Sequence, residues 1–252
     1  MKHDNSSFII TPDWQVPEHV KSFSTTRLGG VSQGRFSSNN LALHVNDRES
    51  DVLKNRALLC ENYHLPAEPL WLNQTHSTIV VDAGLNRDTN IVIEADASFS
   101  TKNSTVCVVM TADCLPVLLC DKSGTQVAAV HAGWRGLLNG VIENTLEQFT
   151  VEGRDIVAWL GPAIGPKAFE VGTEVRDLFI NHDLDALRAF RQCNDEKWLA
   201  DIYELARMRL MSFGVSDIYG GDFCTFSDED SFYSYRRDQT CGRMAALIWL
   251  DK

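Results

Sequence analysis

The stretch Thr105 to Phe149 constrains the fold more than any other part of the chain. Two apolar runs, Leu115 to Cys120 and Gln126 to Val130, flank the polar connection DKSGT. Apolar runs that flank such a connection are typical of an antiparallel β-hairpin, because glycine tolerates positive φ in the tight turn. The sequence therefore predicts a hairpin whose two-residue loop is Ser123 and Gly124.

The register of this hairpin decides whether a cysteine and a histidine meet. With Ser123 and Gly124 as the loop, His131 pairs with Pro116, and Cys114 lies diagonally across from His131. Side chains alternate with period two, so these three residues share one face, and diagonal neighbours lie within roughly 7 to 8 Å. A thiolate and an imidazole bind zinc at roughly 2.3 and 2.0 Å, whereas a register slip of one residue would turn one of them away. The predicted register therefore allows one metal ion to bridge the two side chains.

Composition is that of a globular protein. Hydrophobic residues make up 44% and charged residues 23% of the 252 residues, and no apolar run approaches the roughly 18 residues that suggest a membrane span. The N-terminus, MKHDNSSFII, lacks the basic and apolar segments of a signal peptide. Because there is no internal repeat or clear linker, the sequence predicts one domain over residues 1–252, in the cytoplasm and with no membrane partner.

Charge and cysteine usage argue against two further classes. The formal net charge of -11 argues against general nucleic-acid binding, which relies on a basic surface that neutralises phosphates. The seven cysteines are odd in number and scattered, unlike a disulfide framework. An anionic small molecule stays compatible with this balance if arginines cluster locally.

The segment TTRLGGVSQGRFSSNN, residues 25–40, is rich in turn formers. Arg27 stands close to two glycines, and several serines and asparagines follow, ending at Asn40. Backbone N–H groups and a guanidinium in such a loop can hold an anion. A plain surface turn explains the same composition.

His76 adds a second imidazole from a third segment. His76, Cys114 and His131 would give three ligands, which leaves a fourth tetrahedral position open for water or substrate. The same residues also fit a thiol hydrolase, in which Cys114 is the nucleophile and His131 its base. A multicopper oxidase is disfavoured, because the chain has seven histidines and no His-x-His pair.

Three other segments have a predicted structure. Ile91 to Ala97 is predicted as a strand that ends in acidic residues, with no function assigned to them. Apolar residues at helical spacing predict helices over about Leu137 to Phe149 and Leu199 to Phe213.

Several motifs together resemble one family. They are NQTHS at 73–77, TADCLPVLLCD at 111–121, HAGWRG at 131–136, GPAIGP at 161–166, FYSYRRD at 232–238 and TCGRM at 240–244. In this order they are similar to the bacterial laccase-domain family, also labelled polyphenol oxidase. The resemblance runs from TTRLGGVS at 25–32 to the last predicted strand, which is nearly the whole chain.

The resemblance implies a zinc enzyme that acts on small molecules. Members of the family are described as cleaving adenosine, inosine, guanosine or methylthioadenosine with phosphate, and as deaminating adenosine. The resemblance implies His76, Cys114 and His131 as zinc ligands, with copper less favoured. It also implies a mixed α/β sandwich with helices packed on the outside, like that of a bacterial toxin deamidase. A further role attached to the family is the editing of a peptidoglycan precursor, which an amidase of the Cys-His type would perform.

Phosphorolysis requires an anion site, and the matching motifs contain four arginines. At least one of Arg27, Arg236 and Arg237 is expected to bind phosphate, and Arg243 is the fourth. Adjacent residues of an extended segment face opposite sides, so only one of Arg236 and Arg237 can point inwards. Asp113 is the acid nearest to the thiol and a candidate proton carrier, although strand alternation turns it away from Cys114. The chain also departs from some relatives, because Lys167 and Ala168 stand where those relatives have cysteines.

Overall fold

The computed structural model describes residues 8–85 and 92–251. Its strands are, in chain order, β1 Ile9–Ile10, β2 Val20–Thr25, β3 Val80–Asp82, β4 Ala97–Ser100, β5 Cys107–Thr111, β6 Leu115–Asp121, β7 Val127–Ala132, β8 Ile156–Leu160, β9 Glu170–Gly172, β10 Phe190–Gln192, β11 Lys197–Ala200, β12 Asp217–Gly220 and β13 Met244–Leu250. Its α-helices are α1 Glu49–Asn62, α2 Trp134–Asn139, α3 Val141–Leu146, α4 Thr173–His182, α5 Ile202–Ser212 and α6 Tyr235–Asp238. Short 3-10 helices cover Gly34–Phe36, Leu43–Val45, Gly153–Asp155 and Leu184–Ala189.

A mixed sheet lies at the centre of the described part of the molecule, with strand order β12-β8-β6-β7-β4-β3. The end pairs β12 with β8 and β3 with β4 are parallel, and the inner pairs are antiparallel. All seven residues of β6 are buried. A strand buried on both faces is expected to be apolar throughout instead of alternating, as the sequence LPVLLCD is.

Layers on either side of this sheet bury its two faces. Leu118 and Cys120 point to a four-stranded sheet of order β1-β2-β13-β5, and pack with residues of β5 and β13. Val117 and Leu119 point the other way, into a core that α2, α3 and α5 cover. On the outer face of the four-stranded sheet, Leu59 of α1 packs in a further cluster. The predicted mixed α/β sandwich with outer helices is confirmed, whereas the likeness to a toxin deamidase and the single domain over residues 1–252 stay predictions.

The predicted hairpin is present with the predicted register. Pro116 pairs with His131, and the ladder continues to Cys120 opposite Val127. The loop is longer than predicted, because the N–H of Gly124 donates to the carbonyl of Asp121 and the strands separate there. The Asp121 carboxylate accepts the next backbone N–H groups instead, at 2.7 and 2.6 Å.

Other predicted elements differ at their ends. The helix expected over residues 137–149 is two helices, α2 and α3, divided at Gly140, whose φ of 99° ends the first one. The predicted strand from Ile91 to Ala97 is also wrong in its bounds, since β4 begins at Ala97. Ile91 itself lies outside the described residues. The helix predicted from Leu199 begins at Ile202, where Asp201 caps it by accepting the N–H of Glu204.

None of the helices in the described ranges has both the length and the apolar character needed to cross a membrane. The first seven residues, which belong to the segment on which the cytoplasmic prediction rests, lie outside the described ranges.

Candidate active site

Cys114, His76 and His131 come together from three segments. Cys114 directly precedes β6, His131 lies on β7, and His76 lies in the loop before β3. One ligand atom from each residue lies within 4.8 Å of the other two, and the Cys114 Sγ is 3.7 Å from the His76 Nε2. The hairpin register that the sequence predicted brings Cys114 and His131 together, and the loop before β3 brings His76 to them.

A buried aspartate, Asp96, holds both histidines. Its Oδ1 accepts a hydrogen bond from the His131 Nδ1 at 2.7 Å, which leaves the His131 Nε2 free to face the thiol. The same carboxylate accepts the backbone N–H groups of Thr75, His76 and Ser77 and the Ser77 hydroxyl. Asp96 therefore fixes one histidine by its ring and the other by its main chain.

The loop that carries His76 is attached at a second point. The Gln74 side chain donates to the carbonyl of Met110 and accepts its N–H, both at 2.8 Å, and so takes the place of a neighbouring strand at the edge of β5. Gly133 completes the site from the other side. A Cβ at this position would lie 2.5 Å from the His76 ring and 3.2 Å from the Cys114 Sγ, so the cluster requires glycine there.

The three side chains favour a thiolate beside an imidazolium. Burial opposes ionisation of Cys114, but the charge of His131 and hydrogen bonds from both histidines lower its pKa to about 6. Burial also opposes a charged His131, yet the Cys114 thiolate and Asp96 raise the His131 pKa to about 9. For Asp96, burial is outweighed by the hydrogen bonds from His131 and Ser77, which lower its pKa to about 2.

These residues fit a metal ion. Two imidazole nitrogens and a thiolate from a preformed cluster are a three-ligand set of the kind that catalytic zinc sites use. The bond from His131 Nδ1 to Asp96 is the carboxylate contact that orients a metal-binding imidazole. Among the residues that the structure describes, this is the one group of three or more His, Cys, Asp and Glu side chains that can hold a metal ion.

A cavity of about 490 Å³ opens above the cluster. Its walls are apolar and aromatic, with Trp134, Ile164, Phe169 and Tyr235 among them. Arginines line it as well, and they are Arg135, Arg236 and Arg243. The volume and the mixture of apolar walls with a few polar groups are those of a small-molecule site.

The arginine end is positively charged in an acidic protein. Burial, and then the charges of Arg243, Arg56 and His131, lower the pKa of His44, which lines the same cavity. The Arg236 guanidinium donates to the carbonyl of Glu170 at 2.9 Å, and that of Arg243 donates to the carbonyl of Cys241, also at 2.9 Å. Both arginines are therefore oriented by main-chain oxygens, and neither forms an ion pair with a carboxylate among the described residues.

The other predicted anion-binding residues lie elsewhere. Arg27 and Arg237 line a second depression, which they share with Arg35. The Asn40 side chain is buried, donating to Asp47 and accepting the N–H of Arg243. Of the adjacent pair, only Arg236 lines the large cavity, although the segment there is the short helix α6 and not the extended chain that was predicted.

Sequence reasoning did not identify Asp96, His44 or Arg135 as site residues. The one signal for Asp96 was an acidic residue between Ala95 and Ala97, at the end of a predicted strand. A buried carboxylate needs partners, and here the partners are the two histidine segments.

The sandwich, the His-Cys-His cluster and the arginine-lined cavity together define an α/β protein with a small-molecule cavity above three residues that could hold a metal ion. The model of the multi-copper polyphenol oxidoreductase laccase family matches residues 21–251. The chain belongs to this family.

Relatives support the same assignment. The chain is 52% identical to purine nucleoside phosphorylase YfiH of Shigella flexneri, over 97% of this chain and 99% of the relative. It is also 52% identical to purine nucleoside phosphorylase PA4543 of Pseudomonas aeruginosa, over 96% of this chain and 98% of the relative. The crystal structure of protein NMB0706 from Neisseria meningitidis is similar with a TM-score of 0.93 and 48% identity, covering 98% of this chain and 100% of that one.

Proposed function

We propose that this protein is a zinc-dependent purine nucleoside phosphorylase. One observation carries the proposal. A single cavity is lined by three residues that could hold a metal ion and by oriented arginines, and the chain is 52% identical to a relative that bears this name. Phosphorolysis needs an anion site and a means of activating the bond to the purine, and the two kinds of group supply these.

The protein's own residues bind and orient the two substrates. Arg236 and Arg243 hold inorganic phosphate by charge-assisted hydrogen bonds, since their guanidinium groups are already oriented by carbonyls. The aromatic rings of Trp134 and Tyr235 contact the purine and the sugar.

His76, Cys114 and His131 are the residues that would hold the ion, with Asp96 orienting the two histidines. Zinc bound there would supply a Lewis acid for a substrate oxygen and a water whose pKa is near 7. The same chemistry supports a second activity, the deamination of adenosine. We favour zinc over copper because three N and S ligands with an open position suit it.

Product analysis tests the proposal. Metal-loaded protein is incubated with inosine, with and without phosphate, and with adenosine. Hypoxanthine and ribose 1-phosphate formed only with phosphate are expected, together with inosine from adenosine. Failure of the metal-loaded protein to cleave inosine in the presence of phosphate would contradict the phosphorylase assignment, and metal analysis of the purified protein identifies the ion.

One observation favours a second candidate function, a Cys-His hydrolase. The charge of His131 lowers the pKa of Cys114 although burial opposes this, and a nucleophilic thiol also requires a low pKa. Alkylation with iodoacetamide separates the two candidates. A metal ligand is protected from alkylation and inactivation by zinc, whereas a nucleophile that works without metal is inactivated at the same rate with zinc present.

A further inference from the structure

Asp113 is a nearly buried carboxylate at which separate parts of the chain meet. Its Oδ1 accepts the Thr225 hydroxyl at 2.6 Å, and its Oδ2 accepts the Ser234 hydroxyl at 3.0 Å and the backbone N–H of Arg236 at 2.6 Å. Its own carbonyl accepts the N–H of Ile164 at 2.9 Å. One residue of the turn before β6 thus attaches to the 161–166 loop and to the C-terminal segment.

These bonds fix the start of α6. Ser234 is the N-cap of this helix and accepts the N–H of Arg237 at 3.2 Å. The Arg237 guanidinium in turn donates to the carbonyls of Thr225, Phe226 and Phe232. The main chain on both sides of Arg236 is therefore held from inside the protein.

The Arg236 side chain makes fewer hydrogen bonds than that of Arg237. It is exposed, and its one hydrogen bond within the described residues is to the carbonyl of Glu170. The place of its guanidinium in the cavity therefore depends on where its backbone is fixed. That place is set by Asp113, whose φ of 90° is a conformation that side-chain-bearing residues other than Asp and Asn seldom adopt.

We propose that Asp113 is a positioning residue. It fixes the backbone of Arg236 at a constant distance from Cys114, which follows Asp113 directly in the chain. The inference rests on the proposed function for the part that concerns phosphate, which Arg236 binds. The three donors that the two oxygens of Asp113 accept are all groups of the protein itself, as a positioning role requires. The carboxylate connects the anion-binding end of the cavity to the metal-binding end.

Two substitutions at this position separate positioning from proton transfer. Asp113→Gly removes all three acceptor bonds without strain at positive φ, and is expected to raise KM for phosphate by about tenfold or more with a smaller change in kcat. Asp113→Asn keeps an oxygen for Arg236 and Ser234 and can donate to the Thr225 hydroxyl, so it is expected to restore most of the lost affinity. Equal loss of kcat in both variants would instead identify a proton carrier and overturn the proposal.

A readout without nucleoside makes the test independent of the reaction. Hydrogen exchange of the peptide covering residues 233–238 is expected to accelerate in Asp113→Gly and to return towards the wild-type rate in Asp113→Asn. Calorimetric titration with inorganic phosphate is expected to follow the same order, with metal content unchanged in all three proteins. Thr225→Val is the matched control, because it removes one hydroxyl bond and leaves the bond to Arg236.

The outcomes distinguish this inference from the proposed function. Suppose that the wild-type protein cleaves no inosine but that Asp113→Gly still weakens phosphate binding. This result would support the positioning role of Asp113 and contradict the phosphorylase assignment. Unchanged exchange of residues 233–238 in a folded Asp113→Gly protein would overturn the positioning. Wild-type protein that binds no phosphate would overturn both.

Discussion

The two ends of the cavity are each organised by a buried aspartate, but in different ways. At the proposed metal-binding end, Asp96 contacts the His131 ring directly and holds His76 by its backbone. At the arginine end, Asp113 holds Arg236 by its main chain, and the Arg236 guanidinium is oriented separately by the carbonyl of Glu170. Metal ions need ligands held to within a fraction of an ångström, whereas a long cation can adjust to a phosphate that arrives and leaves.

The largest effect is expected from removing the thiol at the metal-binding end. Cys114→Ala leaves two imidazoles and no anionic ligand, so zinc content is expected to fall from about one ion per chain to nearly none, with activity lost. Elemental analysis of the purified protein measures this. Full zinc retention in the variant would refute the proposed ligand set.

A smaller loss of metal binding is expected when Asp96, which holds the two histidines, is substituted. Asp96→Asn places an amide N–H group against backbone donors and releases the His131 ring, so metal affinity is expected to fall about 10- to 100-fold. Competition with a chromogenic chelator measures the affinity. Asp121→Asn is the matched control, because Asp121 is equally buried and accepts backbone N–H groups in the hairpin loop, far from the ligands. It should lower the thermal stability and leave metal affinity as it was.

At the arginine end, the expected effect is on binding alone. Arg236→Ala removes a charged donor to phosphate, so KM for phosphate is expected to rise by about tenfold, while zinc content stays at the wild-type level. Steady-state kinetics at varied phosphate give the value. Arg35→Ala, in the second depression, is the control for a general loss of positive charge. Equal effects from both variants would mean that the large cavity is not the anion site.

The smallest change concerns the protonation of the metal-free cluster. The pKa of Cys114 is lowered to about 6, so the thiolate is present above that pH and is lost as pH falls through it. Alkylation of metal-free protein should therefore stay fast at pH 7 and reach half its maximal rate near pH 6. The Cys114→Ala variant reports labelling of the other cysteines, including the exposed Cys193. A midpoint near the ordinary thiol pKa of about 8.5 would show that the imidazoles do not stabilise the thiolate.

The same two ends differ in how well the sequence predicted them. Cys114 and His131 are 17 positions apart along one hairpin, so turn chemistry and strand alternation were enough to bring them together. The contact of Asp96 with His131 was not predictable in this way. It depends on the pairing of Ala97 with Val130, and that pairing joins strands that are distant in sequence.

At the arginine end, local rules failed for a physical reason. Arg27, Arg236 and Arg237 have the same chemistry, and which of them enters the cavity depends on contacts between distant segments. Arg237 is occupied by three carbonyls, and Arg27 donates to the carbonyls of Ser37 and Glu229. Residue spacing along the chain does not predict those contacts. The sequence therefore identified candidate arginines but not which of them lines the cavity.

We propose that both ends of the cavity serve one reaction. Labelled phosphate, followed with inosine in the wild-type protein, in Cys114→Ala and in Arg236→Ala, tests this most directly. We expect the label to appear in ribose 1-phosphate with an equal amount of hypoxanthine, to be absent with Cys114→Ala, and to be recovered with Arg236→Ala at high phosphate. Inosine cleavage that proceeds without phosphate, or that keeps the wild-type KM for phosphate in Arg236→Ala, would contradict it.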